Sequence, residues 1–114
     1  MTVSNSRVID VAAAELAHEA LPPHQVTEGA PTTGLQELGQ LGDAHYGIWE
    51  ITPGVSTDVE SDEVFVVLSG RARIDFSDDG SSIDVGPGDL VRLRADDKTV
   101  WTVSETLRKV YVRV

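Results

Sequence analysis

Apolar and polar residues alternate strictly between positions 71 and 77. Ala72, Ile74 and Phe76 share one parity, and charged or hydroxyl residues occupy the other. Successive side chains of a strand point to opposite faces, so this segment predicts a strand with one face in a core and the other in water. This strand is the element that the alternation pattern predicts most directly.

The segment just before it is apolar at every position. Val64 to Leu68 is compatible with a strand covered on both faces or with a short helical core segment, and its β-branched residues together with Gly70 favour the strand. An antiparallel strand that is apolar on both sides needs a second cover. That cover is either an N-terminal arm or another subunit, and we expect a homodimer.

Short strands separated by turn signals continue through the rest of the chain. Further strands are predicted at residues 45–52, 90–94, 98–103 and 107–114, with turns at 42–43, 53–54, 78–80 and 87–88. The last strand alternates valines with polar side chains, which places Val110, Val112 and Val114 opposite Lys109, Tyr111 and Arg113. Many short strands with few helices predict an all-β sandwich or jelly-roll barrel.

The first 25 residues differ from the rest and predict an arm with a short helix. Asp10 can cap a helix over residues 11–16, and Pro22-Pro23 must end it, because the residue before a proline is pushed out of the α region. The predicted organisation is an arm over residues 1–25 followed by a β-barrel domain over residues 26–114.

The composition limits the classes of partner. A chain of 114 residues fits a single domain, and without cysteine it holds neither a disulfide nor a thiolate metal site. Residues 1–70 carry 11 acids and one base and residues 71–114 carry eight of each, so the net charge of -10 lies in the first part. Such a field repels phosphate backbones and anionic lipids, and no apolar run approaches the roughly 20 residues of a membrane span. We expect a cytoplasmic protein that binds neither nucleic acid nor membrane.

The second half of the chain carries glycines, acids and aromatic residues in a characteristic order. The pieces are Gly47-Ile48-Trp49-Glu50, Thr52-Pro53-Gly54, Asp62-Glu63, Leu68-Ser69-Gly70, Gly86-Pro87-Gly88-Asp89, residues 99–105 and residues 108–111. In this order and spacing the chain resembles the small cupins related to the (S)-ureidoglycine aminohydrolase cupin domain, over residues 45–111. The resemblance implies the cupin double-stranded β-helix, which is a jelly-roll barrel.

The resemblance fails at the positions that bind metal in other cupins. Those cupins offer three histidines and one glutamate, and here Glu63 and Gly70 keep the spacing of the first motif. The histidine positions correspond to Ser56, Thr57, Asp58, Val59, Glu60 or Asp62 in the first motif and to Thr99 in the second. The three histidines of the chain, His18, His24 and His45, all precede these motifs. One carboxylate without imidazole ligands is a poor transition-metal site, so we expect no metal cofactor.

Glu63 is the first candidate site residue. By alternation it shares a face with Phe65, and the resemblance implies that this face lines the barrel cavity. A carboxylate at the mouth of an apolar cavity is either a proton acceptor or an inherited ligand position that is now satisfied by hydrogen bonds.

Thr99 and Trp101 form a second candidate site, because they lie two residues apart on one strand face. A tryptophan beside a hydroxyl can stack on and orient a small planar ligand, and Trp101 can equally fill the core. Arg94 is a further polar candidate that would lie opposite Glu63.

Two other charged groups have structural alternatives. The acidic run over residues 58–63 offers carboxylates to Ca or Mg, but alternation splits it between two faces, which favours a solvated loop. Glu105 with Arg108 and Lys109 is either an anion-binding cluster or an ion pair between neighbouring strands, and the ion pair is favoured.

These residues predict a cupin-domain protein that binds a small molecule in its barrel without catalysis, or that acts as an accessory module. The alternative is a metal-independent or weakly metal-dependent enzyme of aminohydrolase, isomerase or lyase type, with Glu63 as base and a ureido or amino metabolite as substrate. Such an enzyme needs a second polar group, for which Thr99 and Arg94 are the candidates. A barrel filled by its own side chains would instead indicate a structural protein.

Overall fold

The computed structural model describes residues 7–114. This part of the chain contains nine strands and one short 3-10 helix. The strands are β1 (His18–Ala20), β2 (Val26–Glu28), β3 (Thr32–Leu41), β4 (Ala44–Ile51), β5 (Gly54–Val59), β6 (Glu63–Phe76), β7 (Ser82–Val85), β8 (Leu90–Leu93) and β9 (Lys98–Arg113), and the 3-10 helix is Pro23–Gln25. All strand pairs are antiparallel, which confirms the predicted all-β class. Within residues 7–114, no helix has the length and apolar character needed to cross a membrane.

Two long strands, β6 and β9, run through the single curled sheet that the nine strands form. The first part of β9 pairs with β5, and its later part pairs with β4. On its other side β9 runs along β6, which in turn pairs with β8 near its start and with β7 near its end. The strands at 64–68 and 71–77 are therefore one element, as are those at 98–103 and 107–114. The result is a curled antiparallel barrel, the architecture of a jelly roll.

Gly70 changes which side chains of β6 point into the barrel. Phe65 and Val67 are buried before it and Ala72 is buried after it, so the inward parity shifts by one residue. The pairing with β9 is irregular at the same place. Gly70 has a φ of 89°, and a Cβ there would collide with the backbone of Thr106 on β9. Glycine is required at this β-bulge for both reasons.

The apolar core fills the inside of the curled sheet. Its buried side chains are Ile51, Phe65, Val67, Ala72, Ile74, Val85, Val91, Leu93, Trp101, Val103, Leu107 and Tyr111. On β9 the inward face is not the valine face, because Val112 is exposed while Lys109 and Tyr111 are buried. A lysine among the buried positions shows that one end of the barrel interior is polar.

The predicted N-terminal helix does not form. Residues 11–13 make one turn, in which Asp10 accepts hydrogen bonds from the amides of Ala13 and Ala14. The guanidinium of Arg108 then binds three carbonyl oxygens of the turn, which a continuing helix would need for its own hydrogen bonds. A helix this short is also marginal in water without tertiary support. Residues 1–6 of the predicted arm lie outside the described part of the chain.

The arm is attached to its own barrel through a hydrogen-bonded network. Glu50 on β4 accepts hydrogen bonds of 2.7 Å from Nε2 of His18 and from Nε of Arg108, and the other ring nitrogen of His18 lies 2.8 Å from the hydroxyl of Thr32. Burial alone would raise the pKa of Glu50, but the hydrogen bonds from Arg108 and His18 outweigh it and lower the pKa. β1 also adds a strand to the sheet by pairing with β3.

The outer face of β6 is only partly covered within the chain. Val66 is 38 % exposed, and its neighbours Leu90 on β8 and Val112 on β9 are exposed beside it. The described part of the N-terminal arm does not cover this patch, because it contacts the sheet at Arg108, which pairs with Glu50. An apolar patch on β6, β8 and β9 thus stays open, and the predicted homodimer remains a prediction that would cover it.

Candidate functional site

A cavity of about 250 Å³ opens at the polar end of the barrel interior. Its principal lining side chains are Trp49, Ile51 and Trp101, the acids Asp58, Glu60 and Glu63, and the β9 residues Lys109, Tyr111 and Arg113. Leu21 and Gln25 of the arm close one side. At roughly 30 Å³ per water molecule, the space corresponds to about eight waters, which is enough for a compact metabolite.

Lys109 places a buried ammonium group beside Glu63. Its Nζ donates a hydrogen bond to Oε2 of Glu63 at 2.6 Å, and the two side chains are 7 % and 11 % exposed. The same Nζ lies 4.2 Å from the ring centroid of Phe65, 4.5 Å from that of Trp49 and 5.3 Å from that of Trp101. Three aromatic faces within about 6 Å attract the cation through their quadrupoles. The charge of Lys109 is therefore balanced by one carboxylate and three rings.

Glu60 is held by side chains of β9 and by the loop before that strand. Its Oε2 accepts hydrogen bonds from the hydroxyl of Thr99 at 2.6 Å and from the indole nitrogen of Trp101 at 3.0 Å. Its backbone amide donates to the carbonyl of Asp97, and its carbonyl accepts from the amide of Asp96. Four hydrogen bonds thus set the position of one acid at the cavity wall.

Asp58 stands at the mouth of the cavity without a cationic partner. It is solvent-exposed on β5, and its Oδ1 accepts a hydrogen bond from the amide of Val59. Partial burial of the carboxyl group against the cavity wall, followed by repulsion from Glu60, raises the pKa of Asp58. Among residues 7–114, no lysine, arginine or histidine forms an ion pair with Asp58 or with Glu60. Their negative charge is available to a ligand.

Tyr111 also lines the cavity, and its hydroxyl is buried beside Gly47. Within the described residues this oxygen is buried and has no hydrogen-bond partner, since the nearby Arg113 does not reach it in hydrogen-bonding geometry. Burial raises the pKa of Tyr111, so its hydroxyl keeps its proton at neutral pH. A buried hydroxyl without a partner is costly.

The structure brings most of the predicted site residues together. Glu63 and Trp101 line the cavity, while Phe65 lies beneath Lys109 and Thr99 lies behind Glu60. Arg94 does not reach the cavity. It follows β8 and lines a separate pocket together with residues of β7 and β8.

The sequence analysis did not assign Lys109, Trp49 or Tyr111 to the site. Lys109 was grouped with Glu105 and Arg108 as an anion-binding cluster or an ion pair between strands, but neighbouring residues of a strand point to opposite sides. The useful signal was the alternation of Leu107, a lysine and Tyr111, because leucine and tyrosine mark the buried parity.

The residues around Glu63 do not fit a transition metal. The nearest polar group to the Glu63 carboxylate is the ammonium of Lys109, and the groups around that ammonium are aromatic rings rather than imidazole or thiolate donors. Among residues 7–114, no three His, Asp or Glu side chains lie close enough together to hold a metal ion. The acidic run is also divided, because Asp62 turns outward to pair with Arg92.

The curled antiparallel barrel with a cavity at one end defines a cupin domain. Residues 38–111, more than half of the chain, match the EutQ-like cupin domain family, and the chain belongs to that family. No curated protein matches the sequence.

Solved structures share the fold at low sequence identity. A protein of unknown function from the DUF861 family of Pseudomonas syringae pv. tomato is 22% identical, with a TM-score of 0.77 over 90% of this chain. The Clostridium difficile EutQ protein is 18% identical, with a TM-score of 0.70 over 93% of this chain and 84% of its own. A putative ethanolamine utilization protein Q from Salmonella typhimurium is 19% identical, with a TM-score of 0.60 over 71% of this chain and 68% of its own. The chain spans 45% of the Pseudomonas protein, so that protein contains as much again outside the shared fold.

Proposed function

We propose that this cupin domain is a non-catalytic binding module that takes a small nitrogen-bearing metabolite into its barrel cavity. The observation that carries the proposal is Asp58, an acid at the cavity mouth with a raised pKa and no cationic partner among the described residues. A ligand with an ammonium, amidinium or amide N–H group would provide the missing donor.

The balance of charge in the cavity supports this ligand class. Three carboxylates and two cationic groups line the space, and Glu63 and Lys109 neutralise each other. Asp58 and Glu60 then face Arg113, which leaves an excess of one negative charge. An anionic ligand would meet this excess, whereas a cationic or neutral nitrogen donor would relieve it. The tryptophans add flat apolar surface for a compact ligand body.

The same geometry weighs against the enzymatic alternative with Glu63 as base. A general base must accept a proton from a bound substrate, but Oε2 of Glu63 already accepts a short hydrogen bond from a charged ammonium. If Glu63 took up a proton, the buried ammonium of Lys109 would lose its counter-ion. Glu63 therefore serves as the counter-ion of Lys109 in this proposal. The resemblance of the sequence to ureidoglycine aminohydrolase cupin domains is consistent with a nitrogen-rich ligand.

The two tryptophans make binding directly measurable. Trp49 and Trp101 are the only tryptophans of the chain, and both line the cavity, so the intrinsic fluorescence reports on this space. Four probes separate the ligand classes, namely ethanolamine, acetamidine, N-methylurea and acetate. Ethanolamine is the first choice because it carries an ammonium and because the Salmonella protein is named for its utilization. We expect saturable changes with the first three probes, with dissociation constants on the order of 1 mM, and none with acetate.

Asp58→Asn is the decisive variant, because it keeps the side-chain shape and removes the charge. We expect it to abolish the response to ethanolamine and acetamidine and to weaken the response to N-methylurea. Asp84→Asn is the matched control, since Asp84 is an exposed aspartate on β7 outside the cavity, and it should bind like the parent protein. An equal response to acetate, or unchanged binding by Asp58→Asn, would refute the proposal.

A further inference from the structure

The surroundings of the Lys109 ammonium have the composition of a cation-binding site. Phe65 and Trp49 face Nζ at 4.2 and 4.5 Å, Trp101 lies 5.3 Å away, and Glu63 accepts its hydrogen bond at 2.6 Å. An aromatic cage closed by one carboxylate is the arrangement that proteins use to recognise ammonium ligands. Here the cation inside it belongs to the chain itself.

We propose that this cage, defined by Trp49, Phe65, Trp101 and Glu63, is a primary-ammonium site that Lys109 fills as a tethered ligand. The rings alone would form an apolar pocket, and Glu63 alone would be a buried unpaired charge, which is costly. The ammonium of Lys109 fills the pocket between the rings and also neutralises the Glu63 carboxylate. An ordinary core would place a leucine or methionine at this position, so the lysine is explained by the cage and the carboxylate together.

This site is separate from the ligand acid Asp58 and does not rest on the proposed binding function. A divalent ion that approached Oε2 of Glu63 would meet the space that Nζ occupies, so the tethered cation also excludes metal from this carboxylate. An external ammonium would have to displace Lys109 from the cage. The exposed acid at the cavity mouth is then the better position for the nitrogen of an incoming ligand.

Chemical rescue tests the assignment. Lys109→Ala removes the side chain beyond Cβ, and n-propylammonium has the atoms of the deleted fragment. The variant is made in an Asp58→Asn background, so that amines binding at Asp58 do not contribute. We expect Lys109→Ala to lower the melting temperature, and n-propylammonium to restore at least half of the loss with half-saturation on the order of 10 mM. Neutral n-propanol and equal concentrations of sodium chloride should restore none of it.

The control protein is Asp58→Asn with Lys109 intact, which should show no saturable response to n-propylammonium because its cage is filled. The assignment is overturned if n-propanol stabilises Lys109→Ala as well as n-propylammonium does. It is also overturned if the added substitution Glu63→Gln leaves the rescue unchanged.

A second measurement uses the parent protein and is independent of whether the variant folds. Nζ of Lys109 lies over the rings of Trp49 and Phe65, so the NMR signals of the protons on the adjacent carbon should be shifted upfield by ring currents. The chain has one other lysine, the exposed Lys98, which serves as the internal reference. Identical chemical shifts for the two lysines would show that the ammonium is not in the cage.

Discussion

Arg108 and Lys109 are adjacent on β9 and point to opposite sides of the same sheet. Arg108 binds Glu50 and three carbonyl oxygens of the arm on the outside, and Lys109 reaches Glu63 in the interior. One dipeptide therefore holds the N-terminal arm with one residue and fills the polar end of the barrel with the next. Both cations are buried and paired, and each has a different consequence for stability and binding.

Arg108→Lys should loosen the arm while leaving the barrel folded. A lysine can pair with Glu50 but cannot also donate to three carbonyl oxygens, because it lacks the planar fork of the guanidinium. We expect a loss of about 2 kcal/mol in the free energy of unfolding, with faster protease cleavage near residues 11–17. Arg73→Lys, on an exposed pair with Asp75, should change the stability by less than about 0.5 kcal/mol. Equal proteolysis of the two variants would show that Arg108 does not hold the arm.

The arm network predicts a loss of stability in acid. The pKa of Glu50 is lowered in the folded protein, so its contribution is fully present above the ordinary value of 4.5 and is lost as the pH falls through the lowered folded value. Glu50→Gln should therefore lower the melting temperature at pH 7 and should lower it much less near pH 3. Thermal unfolding of both proteins from pH 3 to pH 8 measures this. A difference that is independent of pH would mean that the charge of Glu50 contributes nothing.

Asp58→Asn should stabilise the protein while it removes binding. The pKa of Asp58 is raised in the folded state, so the ionised group opposes folding above its ordinary value of 3.8. Asparagine removes this opposition and keeps the hydrogen bond from the amide of Val59. Because Asp58 is exposed, we expect a rise in melting temperature on the order of only 2 °C at pH 7, and none below pH 3.8. A lower melting temperature of Asp58→Asn at pH 7 would show that the ionised Asp58 stabilises the fold, which contradicts the prediction.

The positive φ of Asp96 suggests that a glycine at this position would stabilise the protein. Asp96 is the only non-glycine residue between positions 7 and 114 with a positive φ, at 72°, and it lies in the loop that binds the backbone of Glu60. Glycine adopts this conformation without steric cost, so Asp96→Gly should raise the stability by about 0.5 kcal/mol, whereas Asp96→Ala should lower it. Urea unfolding of the two variants gives both values. Equal stabilities would contradict a backbone origin for the effect.

The open apolar patch on β6, β8 and β9 predicts self-association. Val66 and Leu90 are register partners on neighbouring strands, and both are exposed within one chain. We expect a homodimer at micromolar concentration by sedimentation, and Leu90→Lys should shift it to a monomer without unfolding. Leu35→Lys is the control, because Leu35 is an exposed leucine on β3, away from the patch. A monomeric parent protein would refute the prediction.

Much of the fold follows from local sequence signals. Alternation at Ala72, Ile74 and Phe76 identifies the later half of β6, and the glycine and proline pairs mark turns that the structure contains. What alternation cannot show is that β6 continues through Gly70 with its parity reversed, because the bulge depends on the backbone of Thr106 across the sheet. β1, β2 and β3 were missed for a similar reason, since they carry few apolar residues and are held by their neighbours.

The candidate site was predictable only in part. Glu63, Phe65 and Trp101 follow from strand parity and from the resemblance to cupins. Lys109 was not assigned, although Leu107 and Tyr111 at the same parity mark a buried face, because a lysine is almost never fully buried unless it is paired. Its burial depends on Glu63 and Trp49, which are far away in sequence and meet it only when β4, β6 and β9 are assembled. Non-local pairing of this kind is absent from any local pattern.

The central position of β9 has a consequence for how the chain folds. β4, β5 and β6 all take hydrogen bonds from this strand, so none of them is completely paired until residues 98–113 have joined. Pairings across such large sequence separations pay the entropy of loop closure before they gain contacts, and barrels of this kind reach the native state in milliseconds to seconds. During that interval the earlier strands present unpaired edges. Substitutions in β9 should therefore slow productive folding in addition to any effect on the final stability, and refolding at high protein concentration would reveal the slower rate as aggregation.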